Sequence, residues 1–305
     1  MRAHASSCRF LAFVTFVASL AWAQTPSVAS GEAARPLRVE IIGASVSAGF
    51  TDGPMTGGSA DNRTVPLQKV VRGWLDGIDA KVQSRADLLM FTDAEGRGSA
   101  QIERAVKNPP DLVVAVDFLF WYGYGYVDAT PDGEAAARKA RFEHGLALLD
   151  RLPCPIVVGD LPDVHGAAAR MISPRQIPPV AILEQLNTVL ADWARARPRV
   201  RVFPLRELVA DMKGKGIALP LAAGPLQVQP GGLMQGDKLH ATRLGMAYLG
   251  FLLQTHAAAV LPKDVAVLPR RPFDDFVIAA DAGGDLDDLR GKPATAGAAA
   301  TPPGK

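Results

Sequence analysis

The chain has 305 residues, of which 48% are hydrophobic and 21% charged, a globular balance that excludes wholesale disorder. Its 33 Lys and Arg face 31 Asp and Glu, so it carries no global electrostatic footprint for nucleic acid or an anionic membrane surface. With only two cysteines, Cys8 and Cys154, a disulfide-rich scaffold and a four-cysteine zinc site are excluded as well.

The N-terminus reads as an address. Arg2 and Arg9 precede an apolar stretch from Phe10 to Leu20, followed by Ala21-Trp22-Ala23 and Gln24. A basic start, a short apolar segment and an A-x-A site form a secretory signal peptide over residues 1–23. The apolar run is short for a membrane span, so the expectation is a periplasmic or secreted protein with no stable membrane insertion after cleavage. Removing Arg2 and Arg9 leaves 31 bases against 31 acids. Residues 24–36 are rich in Ser, Ala, Pro and Gly and read as a linker. Residues 293–305 are Ala, Gly, Thr and Pro with a last Lys, a composition that cannot bury a core face and reads as a disordered tail.

Between the ends, short apolar strands alternate with amphipathic helices. Strands are expected at Leu37–Gly43, about Ala86–Phe91, Leu112–Val116, Ile156–Gly159 and Val200–Phe203, each bounded by Gly, Pro or Asp. Helical stripes run through Leu67, Val70, Val71, Trp74 and Leu75, through Ile182, Leu186, Val189, Leu190 and Trp193, and through Leu244, Ala247, Tyr248, Phe251, Leu252 and Thr255. A further helix is expected in about 133–152. The alternation predicts an α/β fold, a central parallel sheet of about five strands with helices on both faces. Sites in such sheets lie at the C-terminal ends of the strands.

The first strand ends at Gly43-Ala44-Ser45-Val46-Ser47-Ala48-Gly49. Small neighbours around Ser45 leave room for a carbonyl to approach, and N–H groups after a tight turn can face an oxyanion. The third strand ends at Asp117, followed by Phe118-Leu119-Phe120-Trp121-Tyr122-Gly123-Tyr124-Gly125-Tyr126, which holds three of the four tyrosines. Trp121, Tyr122 and Tyr124 are candidates for substrate binding, having flat apolar faces and polar tips. The competing reading packs them into the core. After the fourth strand, Asp160, Asp163 and His165 line a loop that reads as a cleft wall rather than a metal site. Cys154 reads as a buried small hydrophobe, and His144 and His256 as structural residues within helices. Near the other end, Gly236-Asp237-Lys238-Leu239-His240 lies at a loop-to-helix junction, and Ala241-Thr242-Arg243-Leu244-Gly245 after it opens the last helix. Its D-x-x-H spacing lets the carboxylate hold the imidazole Nδ1–H while Nε2 points outward.

Together, the serine turn and D-x-x-H resemble the SGNH hydrolases, also called GDSL esterases/lipases, over roughly residues 37–262. The resemblance implies a three-layer flavodoxin-like fold and a Ser45, His240, Asp237 triad acting on carboxylic or carbohydrate esters without a cofactor or metal. It further implies an oxyanion hole built from Ser45, a glycine and an asparagine. Gly98 stands best in the glycine position, with Gly96 the alternative. Ala44 replaces the usual Asp of the first block, and Asp117 occupies the usual Asn position. An ionised Asp117 would repel an oxyanion, where an amide would stabilise it. The implied partner is a small-molecule or glycan ester. A non-catalytic SGNH-like binding protein of the cell envelope is the alternative from another class. An α/β-hydrolase is disfavoured because G-x-S-x-G is absent. Residues 263–292 form a C-terminal extension in which Phe276-Val277-Ile278 is a minor packing element.

Overall fold

In the third apolar run, alternate residues belong to opposite sides of one layer. Leu112, Val114 and Val116 pack in one buried cluster, and Val113 and Ala115 in another. That two-sided burial is what a strand inside a covered parallel sheet requires. A computed structural model of the chain describes residues 35–262 and 268–291. The expected signal peptide, all but the last two residues of the linker, and the tail at 293–305 lie outside the described residues.

Five strands, β1 (Leu37–Ile41), β2 (Ala80–Ser84), β3 (Leu112–Ala115), β4 (Ile156–Gly159) and β5 (Val200–Phe203), pair in parallel in the order β2-β1-β3-β4-β5. This is the flavodoxin-like order. A small antiparallel pair, β6 (Ile217–Leu219) and β7 (Leu226–Val228), stands apart from it. Four of the five strands, β1, β3, β4 and β5, match the apolar runs. The strand expected at about Ala86–Phe91 is a correction: the chain there turns into a single 3-10 turn, Met90–Thr92, and Leu88, Leu89 and Phe91 are exposed. The true second strand lies at an edge of the sheet. Its sequence, Ala-Lys-Val-Gln-Ser, buries Val82 alone, so it lacks the continuous apolar run that marks a central strand.

The helices are α1 (Ser45–Ala48), α2 (Leu67–Trp74), α3 (Ala94–Lys107), α4 (Phe120–Gly123), α5 (Glu134–Asp150), α6 (Val180–Arg195), α7 (Leu205–Gly214), α8 (Arg243–Val260), α9 (Phe273–Ala279) and α10 (Gly283–Gly291). The buried stripes of α2, α7, α8 and α9 share one core with alternate residues of the sheet. Those of α3, α5 and α6 share the other. The result is three layers. Residues of the C-terminal extension join the first core: Phe273, Phe276 and Val277 are buried, while Ile278 is 77% exposed.

From β1 the chain crosses one face through α2 to β2, then crosses the other face through α3 to β3. The strand order therefore reverses between β1 and β3, and a crevice opens there at their C-terminal ends. Ser45 follows β1 and Asp117 follows β3, so the topology alone places both beside that crevice.

Candidate active site

Gly43 makes the turn after β1 possible. Its φ is +149°, and a Cβ there would lie 2.1 Å from Asp117 Oδ1, so no larger residue fits. The buried side chain of Gln101, on α3, grips the same residue from both ends. Its Oε1 accepts from Gly43 N–H at 2.8 Å and its Nε2 donates to Gly43 O at 3.0 Å. The chain then enters α1 at Ser45 and leaves it at Gly49, which is left-handed with φ 81°. Ser45 is half-buried at the first position of that turn. Its N–H has no partner among the described residues, as expected of a helix's first amide.

Asp237 and His240 come together in the loop before α8. That helix begins at Arg243, with Thr242 as its N-cap. D-x-x-H therefore forms a turn of its own at the junction before the helix, as its spacing suggests. Lys238 adopts a left-handed φ of 55° inside it. Asp237 Oδ1 accepts from the N–H groups of Leu239 and His240 at 2.9 and 3.0 Å. Its Oδ2 lies 2.6 Å from His240 Nδ1. His240 Nε2 lies 2.9 Å from Ser45 Oγ, across 195 residues of sequence. Burial alone would raise the Asp237 carboxyl, but the His240 ring and the two amides outweigh it and hold Asp237 below the usual carboxylate range. The Phe50 ring covers the imidazole at 4.6 Å.

One buried amide ties the two loops to each other. Gln235 Nε2 donates to Phe50 O and Ala241 O, both at 2.9 Å, and its Oε1 accepts from Asp52 N–H at 2.8 Å. Nothing in the sequence marks Gln101 or Gln235. Their importance comes from burial and from partners far along the chain.

Asp117 is placed differently from its expected role in the oxyanion hole. Its Oδ2 accepts from Val46 N–H at 2.8 Å and Ser47 N–H at 3.2 Å, and its Oδ1 accepts from Ser47 Oγ at 2.5 Å. Both oxygens are thus committed to holding the first turn of α1. Burial raises its pKa, and hydrogen bonds from Ser47 and from the amides of the turn offset this only in part.

Gly98 and Gly96 are also corrections. Asp93 caps α3 by accepting from Gly96 N–H at 2.9 Å. Gly98 then falls inside the helical run, where its N–H belongs to the ladder. A Cβ on Gly98 would meet Tyr122 Oη at 2.1 Å. The two glycines serve helix packing, and the helix start at Asp93 is the signal that separates them from a loop. Beside the nucleophile turn lies instead the segment after β2, where Asp87 N–H bonds Gly43 O at 3.0 Å. The next amide, Leu88 N–H, is unpaired among the described residues.

The aromatic ribbon divides. Trp121, Tyr122 and Tyr124 are buried in the core, so the expected substrate platform is not formed by them. Tyr122 donates to Ala94 O at 2.8 Å and Tyr124 donates to Pro162 O, and burial raises the pKa of both phenols. Phe120, a ribbon residue that nothing in the sequence singles out, is the one that faces Ser45. It joins Ala44, Val46, Asp117, Pro162, Val164, Leu205, Val209 and Leu239 around a narrow cleft at the serine. The loop after β4 supplies the cleft wall through Pro162 and Val164. Asp160 instead accepts from Arg206 N–H at 2.6 Å, and His165 pairs with Asp163 on the surface.

No cluster of three potential metal-binding side chains occurs among the described residues, and no described helix is long and apolar enough to cross a membrane. Cys154 is buried, and burial pushes its thiol up to about 11. His144 is exposed on α5, and His256 packs edge-on against Phe203.

No protein-family model matches the chain, and no curated protein matches it. Among solved structures it is similar to TesA, at 16% identity over 75% of this chain and 99% of that one, with a TM-score of 0.43. A protein described as a GDSL-like lipase from Parabacteroides merdae is 12% identical over 74% of this chain and 97% of that one, at 0.44. BT4096, a gut microbial diltiazem-metabolizing enzyme, is 8% identical over 73% of this chain, at 0.44. The chain spans about half the length of that last protein, 47%. At such identities the likeness carries neither residues nor substrate across.

Proposed function

We propose that the chain is an exported serine hydrolase of the SGNH type, cleaving carboxylic or carbohydrate esters. The observation that carries this reading is the unbroken relay from Ser45 Oγ to His240 Nε2 at 2.9 Å and from His240 Nδ1 to Asp237 Oδ2 at 2.6 Å. A serine hydroxyl is a weak nucleophile until a base takes its proton, and the base needs a third group to fix its tautomer.

In the reaction, Ser45 Oγ bonds to the ester carbonyl carbon as its proton passes to His240 Nε2. Asp237, already ionised, stabilises the imidazolium. The carbon–oxygen bond to the alcohol then breaks, and His240 returns the proton to the departing alkoxide. Water repeats the sequence on the acyl-enzyme, releasing the acid and restoring Ser45. The developing oxyanion is met by the free N–H of Ser45. The chemistry calls on no cofactor. The A-x-A site at Ala21–Ala23 supports export, and the mature chain then begins at Gln24.

The test is labelling by a fluorophosphonate probe together with hydrolysis of p-nitrophenyl acetate. Wild type and Ser47→Ala should label and turn over, and Ser45→Ala should do neither. A dead Ser47→Ala beside an active Ser45→Ala would reassign the nucleophile. N-terminal sequencing of protein recovered outside the cytoplasm tests the leader, and a mature form still carrying Phe10–Leu20 would overturn cleavage.

Asp117 favours one other reading. Its hydrogen bonds are all accepted from donors, so it supplies no amide to an oxyanion hole. A non-catalytic envelope-binding protein would tolerate that loss. It would take no label at Ser45 while still binding glycan.

A further inference from the structure

Resting on Ser45 as nucleophile, we infer that the acyl group of the substrate is short, about two to four carbons, and that the cleft at Ser45 sets this limit. The free space in the cleft is about 40 Å³. A water needs roughly 10–15 Å³ by the same measure, so the cleft holds about three methyl-sized groups. That is the part of an acetyl to butyryl chain lying beyond the carbonyl.

The side of the serine on which the cleft lies assigns it to the acyl group rather than the alcohol. The leaving oxygen must reach His240 Nε2 to take its proton, so the alcohol departs past His240 and the Phe50 ring that covers it. Neither His240 nor Phe50 lines the cleft among the described residues. Its far walls are Phe120, Pro162, Val164, Leu205, Val209 and Leu239.

These walls are anchored on three sides, which keeps a longer chain from prising them apart. Phe120 stacks flat on Tyr124 at 4.2 Å, and Tyr124 donates to Pro162 O, so two walls are joined through one buried ring. Asn187 on α6 holds the loop after β4 by both ends of its amide, accepting from Leu161 N–H at 2.7 Å and donating to Leu161 O at 2.9 Å. Asp160 accepts from Arg206 N–H at 2.6 Å, which ties the start of α7, and with it Leu205, to the same loop. Tyr124, expected from the sequence to touch substrate, is here a positioning residue that acts through Phe120 and Pro162.

The experiment measures kcat/KM of the purified protein for p-nitrophenyl acetate, butyrate and octanoate, which share one leaving group. Acetate and butyrate should exceed octanoate by about tenfold or more, the discrimination a narrow, mostly apolar cleft gives against added methylenes. Val209, half-buried on α7, can be changed without emptying the core. Val209→Ala should raise octanoate relative to acetate by about tenfold, and Val209→Phe should lower butyrate relative to acetate. Octanoate equal to or better than butyrate in the wild type overturns the inference. So does an unchanged ranking in both Val209 variants. Turnover with a flat ranking removes the acyl limit alone, whereas no turnover and no fluorophosphonate label at Ser45 removes the hydrolase reading beneath it.

Discussion

Asp117 and Asp237 are both buried carboxylates that accept hydrogen bonds from the backbone of a tight turn, yet their environments drive them in opposite directions. Asp237 has a partner that can carry positive charge, the His240 ring at 2.6 Å. It is held below the usual range. Asp117 has neutral partners, the amides of the turn and the Ser47 hydroxyl. Burial wins there and its pKa rises. At Asp117 the neutral donors do not offset burial in full, whereas at Asp237 a partner that can carry positive charge shifts the balance. One of these groups is built to stabilise charge that appears during reaction, the other to hold the turn that presents the nucleophile.

The two carboxylates should part most widely in activity. Ser45→Ala and His240→Ala, which remove what Asp237 serves, should each lower kcat by about 10⁶ while far-UV circular dichroism stays native, since members of such a relay act as a unit. Asp237→Asn should cost about 10⁴ by leaving the imidazole in the wrong tautomer. A loss under about tenfold in Asp237→Asn would reduce Asp237 to a turn-former like Asp117. By contrast, Asp117→Asn should keep activity within about tenfold, because an amide oxygen can take the Val46 and Ser47 N–H groups while its NH₂ donates to Ser47 Oγ. A collapse in activity with the fold intact would show that the turn needs the charge.

Stability against pH separates the same pair by sign. Asp237 has a depressed folded pKa, so its contribution is present above the unfolded value of about 3.9 and is lost as pH falls through the folded value. The stability gap between wild type and Asp237→Asn should therefore close in acid. Asp117 has a raised folded pKa, so its contribution is full below about 3.9 and is lost as pH rises through the folded value. Asp117→Asn should gain on the wild type across that rise. Urea midpoints measured from about pH 3 to about pH 8 should show the two opposite trends, and parallel trends would erase the distinction. The smallest effect belongs to Ser47→Ala. It removes one hydroxyl donor to Asp117 and should cost about 1 kcal/mol of stability with little change in kcat.

Local chemistry determined much of this molecule from its sequence. The apolar runs at Leu112–Ala115 and Ile156–Gly159 became strands buried on both faces because a strand covered on both sides must be apolar throughout. The carboxylate of D-x-x-H reaches its imidazole within a single turn, so that contact is written in the spacing. The serine turn was legible because small residues surround Ser45 and a glycine precedes it, and Gly43 is the residue that fits beneath Asp117. The edge strand at Ala80–Ser84 escaped because one-sided burial leaves a polar pattern. Tertiary structure alone decided the rest. It brought Ser45 within 2.9 Å of His240 across 195 residues. It sent Trp121, Tyr122 and Tyr124 inward while leaving Phe120 at the cleft. It turned both oxygens of Asp117 toward donors and enclosed Gly98 in a helix. The physical reason is range: propensity and i to i+3 contacts act along the chain, whereas the facing of a ring, the partners of a buried carboxylate and the closure of a cleft are set by whichever distant elements pack against them.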